Sequence, residues 1–171
     1  MKIRPLDGRD DARGLLRAHA LSWREAYDGL VSAELLEAQD PDPTESDVDG
    51  MLEALPDRGV VLVAVEEATV RGFADFRWGS EETKAFVGPG EAGLRAIYVR
   101  PDDWGRGIGT ALVDRGVGHL PDSTEAVRLE VLSGNERARR FYESAGFRPA
   151  GSTTHELGGT EYPTTIYERI L

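Results

Sequence analysis

Within Asp102–Val113, glycine stands at three alternate positions, Gly105, Gly107 and Gly109, just where helical sequence begins. Each glycine costs a helix about 1 kcal/mol relative to alanine, so three in the opening turns weaken the element they start. In return they expose main-chain N–H groups with no side chain in front of them, at the positive end of a helix dipole. That arrangement holds anions, and a pyrophosphate is its usual guest. The phosphate-loop pattern G-x-x-x-x-G-K-[ST] is absent, because no lysine follows the glycines. A dinucleotide-dependent oxidoreductase calls for G-x-G-x-x-G near the first strand and an acid roughly 20 residues further on. Glu125 and Glu130 stand near the acid's place, but the glycine spacing is G-x-G-x-G and lies far into the chain. Taken alone, the triplet equally suits a tight turn with close helix packing.

The elements that must position this loop follow from periodicity. Lys2–Leu6 reads as a short strand, and a helix capped at Asp10 or Asp11 runs to Tyr27. Along it Ala12, Leu15, Leu16, His19, Ala20, Trp23 and Tyr27 recur at three- and four-residue steps. Ser32–Gln39 is a second helix, Asp40–Asp49 a Pro- and Asp-rich solvated loop, and Val48–Leu55 a short third helix. Val60–Glu67 and Val70–Trp78 form a hairpin, Gly79–Gly90 a loop, and Gly93–Val99 a strand ended by Pro101. The glycine loop then opens a helix over Gly107–His119. Ala126–Leu132 is a strand, and Asn135–Phe147 a helix with asparagine at its start and Gly146 as its stop. Two last strands, Pro149–Leu157 and Glu161–Leu171, meet at Gly158-Gly159. The strand–helix–strand crossover requires at least one parallel pair in a mixed sheet. No repeat or linker divides the chain, which reads as one α/β domain over residues 1–171.

Composition narrows the chemistry. With no cysteine, disulfides, thiolate zinc and cysteine nucleophiles are excluded, and His19, His119 and His155 are too scattered for a local metal motif, so no metal is expected. A formal charge of −11 disfavours nucleic acid as a partner. No run approaches a membrane span and the N-terminus has no apolar signal core, so a cytoplasmic, acidic protein with no membrane partner is expected. All basic residues but Lys2 and Lys84 are arginine.

Two spaced motifs go further. V-x-P-x-x-W-G-x-G-I-G-T is filled by Val99, Pro101, Trp104, Gly105, Gly107, Ile108, Gly109 and Thr110. N-x-x-A-x-x-F-Y-x-x-x-G-F is filled by Asn135, Ala138, Phe141, Tyr142, Gly146 and Phe147. Together they resemble the GNAT superfamily of N-acetyltransferases over Leu94 to about Ala150. The stretch Leu21–Leu30, LSWREAYDGL, also looks like one branch of it, with a first helix running through Ser-Trp-Arg and ending at Tyr-x-Gly.

The resemblance implies a central mixed, mostly antiparallel sheet flanked by helices, and direct acetyl transfer from acetyl-CoA to a primary amine without a covalent enzyme intermediate. Acetyl-CoA would bind along the Gly105–Thr110 loop, through Trp104, Gly105, Arg106, Gly107, Ile108, Gly109 and Thr110, with Arg140 adding charge. Where members often carry glutamine or arginine, this chain has Trp104, which offers one indole donor and no acceptor. Backbone N–H groups near Ile97, Tyr98 and Val99 would polarise the thioester carbonyl. Tyr142 would protonate the leaving thiolate, its phenol being matched to a thiol. Glu91, at the start of the strand, is the first candidate to deprotonate the amine and Glu130 on the neighbouring strand the second, while some members need no dedicated base. Asn135 would meet the pantetheine arm or cap its helix. Trp23 and Tyr27 would line the acceptor pocket, and Asp75 would bind a cationic acceptor. The acceptor, a small molecule or a peptide amine, stays open, and dimers are common among members. The competing reading is a noncatalytic acyl-CoA-binding sensor or regulatory module.

Overall fold

A computed structural model describes residues 1–171. Seven strands, β1 (Lys2–Pro5), β2 (Gly59–Glu66), β3 (Thr69–Trp78), β4 (Glu91–Val99), β5 (Ala126–Leu132), β6 (Arg148–Leu157) and β7 (Thr160–Ile170), form one sheet in the order β1-β2-β3-β4-β5-β7-β6. All neighbours are antiparallel except β4 and β5, the parallel pair that the crossover required. Five helices flank it: α1 (Gly8–Ala26), α2 (Ala33–Glu37), α3 (Glu45–Glu53), α4 (Ile108–Val117) and α5 (Glu136–Ser144). None is long and apolar enough to cross a membrane.

The two faces of the sheet have separate cores. Leu15 and Ala18 of α1 pack on Val61, Val63, Val70 and Phe73, whereas Ile108, Leu112 and Val113 of α4 and Tyr142 of α5 join the larger cluster around Phe76, Leu94 and Val127.

Local chemistry moved several boundaries. The expected loop ends early, because Thr44 and Asp47 exchange side-chain and main-chain hydrogen bonds in a capping box that starts α3 at Glu45. Neither Asp10 nor Asp11 is the first residue of the α1 cap. The helix starts from Asp7, and Asp11 reaches back from the first turn to accept from the Asp7 N–H at 2.8 Å while pairing with Arg4. Burial pushes the Asp11 carboxyl up, but Arg4 and the Asp7 N–H outweigh it and hold it below its ordinary value. Glu45, Asp47 and Glu66 are lowered as well, by Arg9, by the Thr44 N–H and by Arg106 respectively. Groups depressed in the folded state stabilise it above their unfolded values, and that stabilisation fades as pH falls through the folded ones. The thermal midpoint should therefore decline below about pH 4. Asp11→Asn should cost about 1 kcal/mol at neutral pH and flatten that acid limb, as read by thermal unfolding against pH.

The sheet opens between β4 and β5. β4 and β5 pair only through Glu91–Ala126, Ala92–Val127 and Gly93–Arg128. Immediately afterwards the β3–β4 register slips: Phe76 faces Leu94 and Asp75 faces Ala96, so Arg95 is an extra residue in β4. Such a bulge bends its strand, and here β4 leaves β5 from Leu94 onward.

Candidate active site

The wedge between β4 and β5 is a cavity of about 390 Å³, floored by Leu94–Val99 on one side and Glu130 and Val131 on the other. The Arg100 N–H donates to the Arg71 carbonyl at 2.8 Å, which fixes the hydrogen-bonding alternation along the β4 edge. Tyr98 therefore directs its N–H to β3, while Ile97 and Val99 direct theirs away from it, into the wedge. The Val99 carbonyl accepts from the Trp104 indole N–H at 2.7 Å and lies 2.8 Å from the Ser22 hydroxyl, whose one hydrogen is shared between it and the Ala18 carbonyl at 2.5 Å. The strand end is thus pinned while its N–H groups stay free.

At the mouth, the loop after β4 makes one 3-10 turn, Pro101–Asp103, and enters α4 through Gly105 and Gly107, whose φ angles are +81° and +79°. Both lie in the left-handed region, and a Cβ on either would meet nothing within 4 Å, so the loop's outer surface is bare backbone. None of the six N–H groups from Gly105 to Thr110 donates to a main-chain carbonyl; the first that does is Ala111, to Gly107. Gly109 has a different reason: a Cβ there would come within 2.9 Å of the Phe141 ring, so its absence lets α4 and α5 approach.

Helix α5 brings Tyr142 to the same cavity. The Asn135 side chain accepts from the Ala138 N–H at 3.1 Å to start this helix, and both residues line the wedge. The Tyr167 hydroxyl fixes its far face by accepting from Arg139 and donating to Glu143, each at 3.0 Å. The Tyr142 ring sits among Phe141, Phe147 and Tyr167, and its hydroxyl is held by no side-chain partner. Burial, reinforced by Tyr27, pushes this phenol well above its ordinary value, so it keeps its proton across the neutral range.

The structure brings together Tyr27, Ile97, Tyr98, Val99, Trp104, Gly105, Gly107, Ile108, Gly109, Thr110, Asn135 and Tyr142 around one cavity, and separates others from it. Glu91 stands at the closed end of the wedge, outside the lining, with Oε1 accepting from the Gly88 N–H at 2.7 Å and Oε2 from Arg128 at 3.0 Å. Glu91 therefore does not reach the cavity that Tyr142 lines, and the geometry does not support the role of base expected for it. Glu130 is the carboxylate that reaches the cavity between the strands. Its Oε2 accepts from the Thr164 hydroxyl at 3.0 Å, and its Oε1 is paired with Lys84 and lies 4.0 Å from His155 Nδ1.

Asp75, expected to bind a cationic acceptor, is instead buried and gripped by Arg77 through two bonds of 2.9 Å, so it is not available to one. Trp23 packs into the interior, 4.6 Å from the Tyr27 ring, and only Tyr27 lines the cavity, its hydroxyl 3.2 Å from that of Tyr98. Arg106 commits its guanidinium to Glu66 and Asp103 and does not itself line the cavity, and Arg140 is exposed outside it. Their intended place is taken by Arg137, whose guanidinium lies 4.3 Å over the Trp104 ring. Among the lining residues that the motifs do not mark for binding are Arg137, Ser22, Ala26, Arg95 and Asp103. Ser22 carries a signal: it stands four residues before Ala26, on the helix stripe that faces the wedge.

Comparison with known proteins agrees with this geometry. A mycothiol acetyltransferase from Propionibacterium freudenreichii subsp. shermanii is 37% identical over 89 residues, which is 51% of this chain and 27% of that protein. The chain thus spans about a quarter of the length of this curated relative. Among solved structures, a PaiA N-acetyltransferase from Thermoplasma acidophilum in complex with coenzyme A superposes with a TM-score of 0.74 at 20% identity, over 99% of this chain and 98% of that one. A ribosomal-protein-alanine N-acetyltransferase from Brucella melitensis does so at 0.68 and 20% identity over the full length of both. The model of the acetyltransferase (GNAT) family matches residues 22–147, from the serine that pins β4 to the phenylalanine that ends the α5 motif, and the chain belongs to that family.

Proposed function

We propose that the protein transfers an acetyl group from acetyl-CoA directly to a primary amine. The observation that carries this reading is one cavity with free main-chain donors at its mouth and an unpartnered, protonated tyrosine inside.

The residues present suit acetyl-CoA. The N–H groups of Gly105–Thr110, at the positive end of α4, receive the pyrophosphate, and Arg137 on Trp104 supplies a cation beside them. Asn135 and the apolar wedge accommodate the pantetheine arm. The Ile97 and Val99 N–H groups polarise the thioester carbonyl, where oriented donors are worth about 3 kcal/mol in the transition state. Glu130, directly or through water, takes the proton of the acceptor ammonium, which is almost wholly charged at neutral pH. Tyr142 gives its proton to the leaving thiolate. Its raised affinity for that proton does not disqualify it, because a thiolate formed in the same water-poor cavity loses solvation too.

Monitoring free thiol while purified protein, acetyl-CoA and a panel of amines are mixed tests the proposal. Amine-dependent thiol release is the expected result; tight acetyl-CoA binding with no release for any amine would favour a binding module instead. Gly107→Val should weaken acetyl-CoA binding by tenfold or more, roughly, without unfolding the protein. A β-branched residue strains the +79° conformation and puts a side chain over the donors, while the space around it is open. Isothermal titration of both proteins measures this.

A further inference from the structure

Glu130 already holds an amine. Lys84, in the connection between β3 and β4, places its Nζ against Glu130 Oε1. The other oxygen, Oε2, is taken by the Thr164 hydroxyl, so Lys84 occupies the oxygen that an incoming ammonium would use, with His155 Nδ1 also 4.0 Å from it. The carboxylate is largely buried, with 12% of its side chain exposed, and it lines the wedge that Tyr142 also lines. Lys84 is half exposed on its connection.

The residue type matters. This chain uses arginine for every other basic residue beyond Lys2, yet it has lysine here. A guanidinium keeps its proton under all relevant conditions and is no nucleophile, whereas an ammonium can lose a proton to a neighbouring carboxylate and attack.

We infer that Lys84 is an acetyl acceptor in its own right, and that the protein acetylates this side chain intramolecularly with acetyl-CoA. The inference rests on the transfer reading above. In the step, Glu130 takes a proton from the Lys84 ammonium and the freed Nζ bonds to the thioester carbonyl carbon. The carbon–sulfur bond then breaks, and Tyr142 protonates the departing thiolate. The products are Nε-acetyl-Lys84, free coenzyme A thiol and one proton passed to solvent. Acetylation removes the positive charge that holds Lys84 to Glu130, and so releases this carboxylate for an external amine.

Intact mass and peptide mapping of the full chain after incubation with acetyl-CoA test it, with Lys2 as an internal measure of uncatalysed acetylation. Lys84 should gain one acetyl group well ahead of Lys2, at a rate unchanged on dilution of the protein. It should be slowed about a hundredfold in Glu130→Gln and in Tyr142→Phe. If Lys84 is modified no faster than Lys2 while the wild type acetylates an external amine, the inference fails and the transfer reading stands. If the wild type neither binds acetyl-CoA nor acetylates any amine, both fall.

Discussion

Tyr142→Phe should lower turnover by about a hundredfold or more while leaving acetyl-CoA affinity within about twofold. The two effects separate because the hydroxyl has no side-chain partner to lose and its ring is held by Phe141, Phe147 and Tyr167, all of which phenylalanine can keep. Binding depends on other groups, the Gly105–Thr110 N–H donors and the wedge floor. What the substitution removes is the one proton positioned for the thiolate, a loss felt only as the carbon–sulfur bond breaks. Steady-state kinetics and calorimetry on the same preparations check it; equal falls in turnover and affinity would mean that the tyrosine shapes the cavity and is not an acid.

Gly116→Ala should produce the largest loss of stability, about 2 kcal/mol, seen as a fall of roughly 4–8 °C in the thermal midpoint. In a helix, alanine normally gains about 1 kcal/mol over glycine. Here the new methyl would lie 2.0 Å from Phe76 Cε2 and 2.5 Å from Cζ. Phe76 has no exposure and sits in the larger core, so it has nowhere to turn. The glycine lets α4 lie directly on β3, and that depth sets where the α4 N-terminus meets the wedge. A stabilised Gly116→Ala would show that the helix rides higher on the sheet than the close approach of Gly116 to Phe76 requires.

Sequence made the glycine loop and the α5 motif legible because their constraints are local. Positive φ at Gly105 and Gly107, and an asparagine cap three residues before Ala138, are properties of a few consecutive residues. The choice between Glu91 and Glu130 was not local. It depends on the bulge at Arg95, which opens the sheet past Gly93 and leaves Glu91 in the closed part beside Arg128. The pairing of Asp75 is legible in the sequence, since Arg77 stands two residues along the same strand, on the same face. Trp23 and Tyr27 are one helical turn apart on the same stripe, so periodicity alone does not tell which of the two rings reaches the cavity; Trp23 is buried against the Tyr27 ring, which covers it. Arg106 and Arg137 show the limit for charge, because Glu66, which diverts Arg106, is 40 residues away.

Amide resonances followed by NMR during an acetyl-CoA titration would test the central claim most directly, that free main-chain donors bind this cosubstrate in the wedge. The largest shifts should fall on Gly105–Thr110 and on Ile97 and Val99, with Tyr98, whose N–H is spent on β3, moving less. Saturable binding that leaves those amides unmoved, or no binding at all, would contradict it.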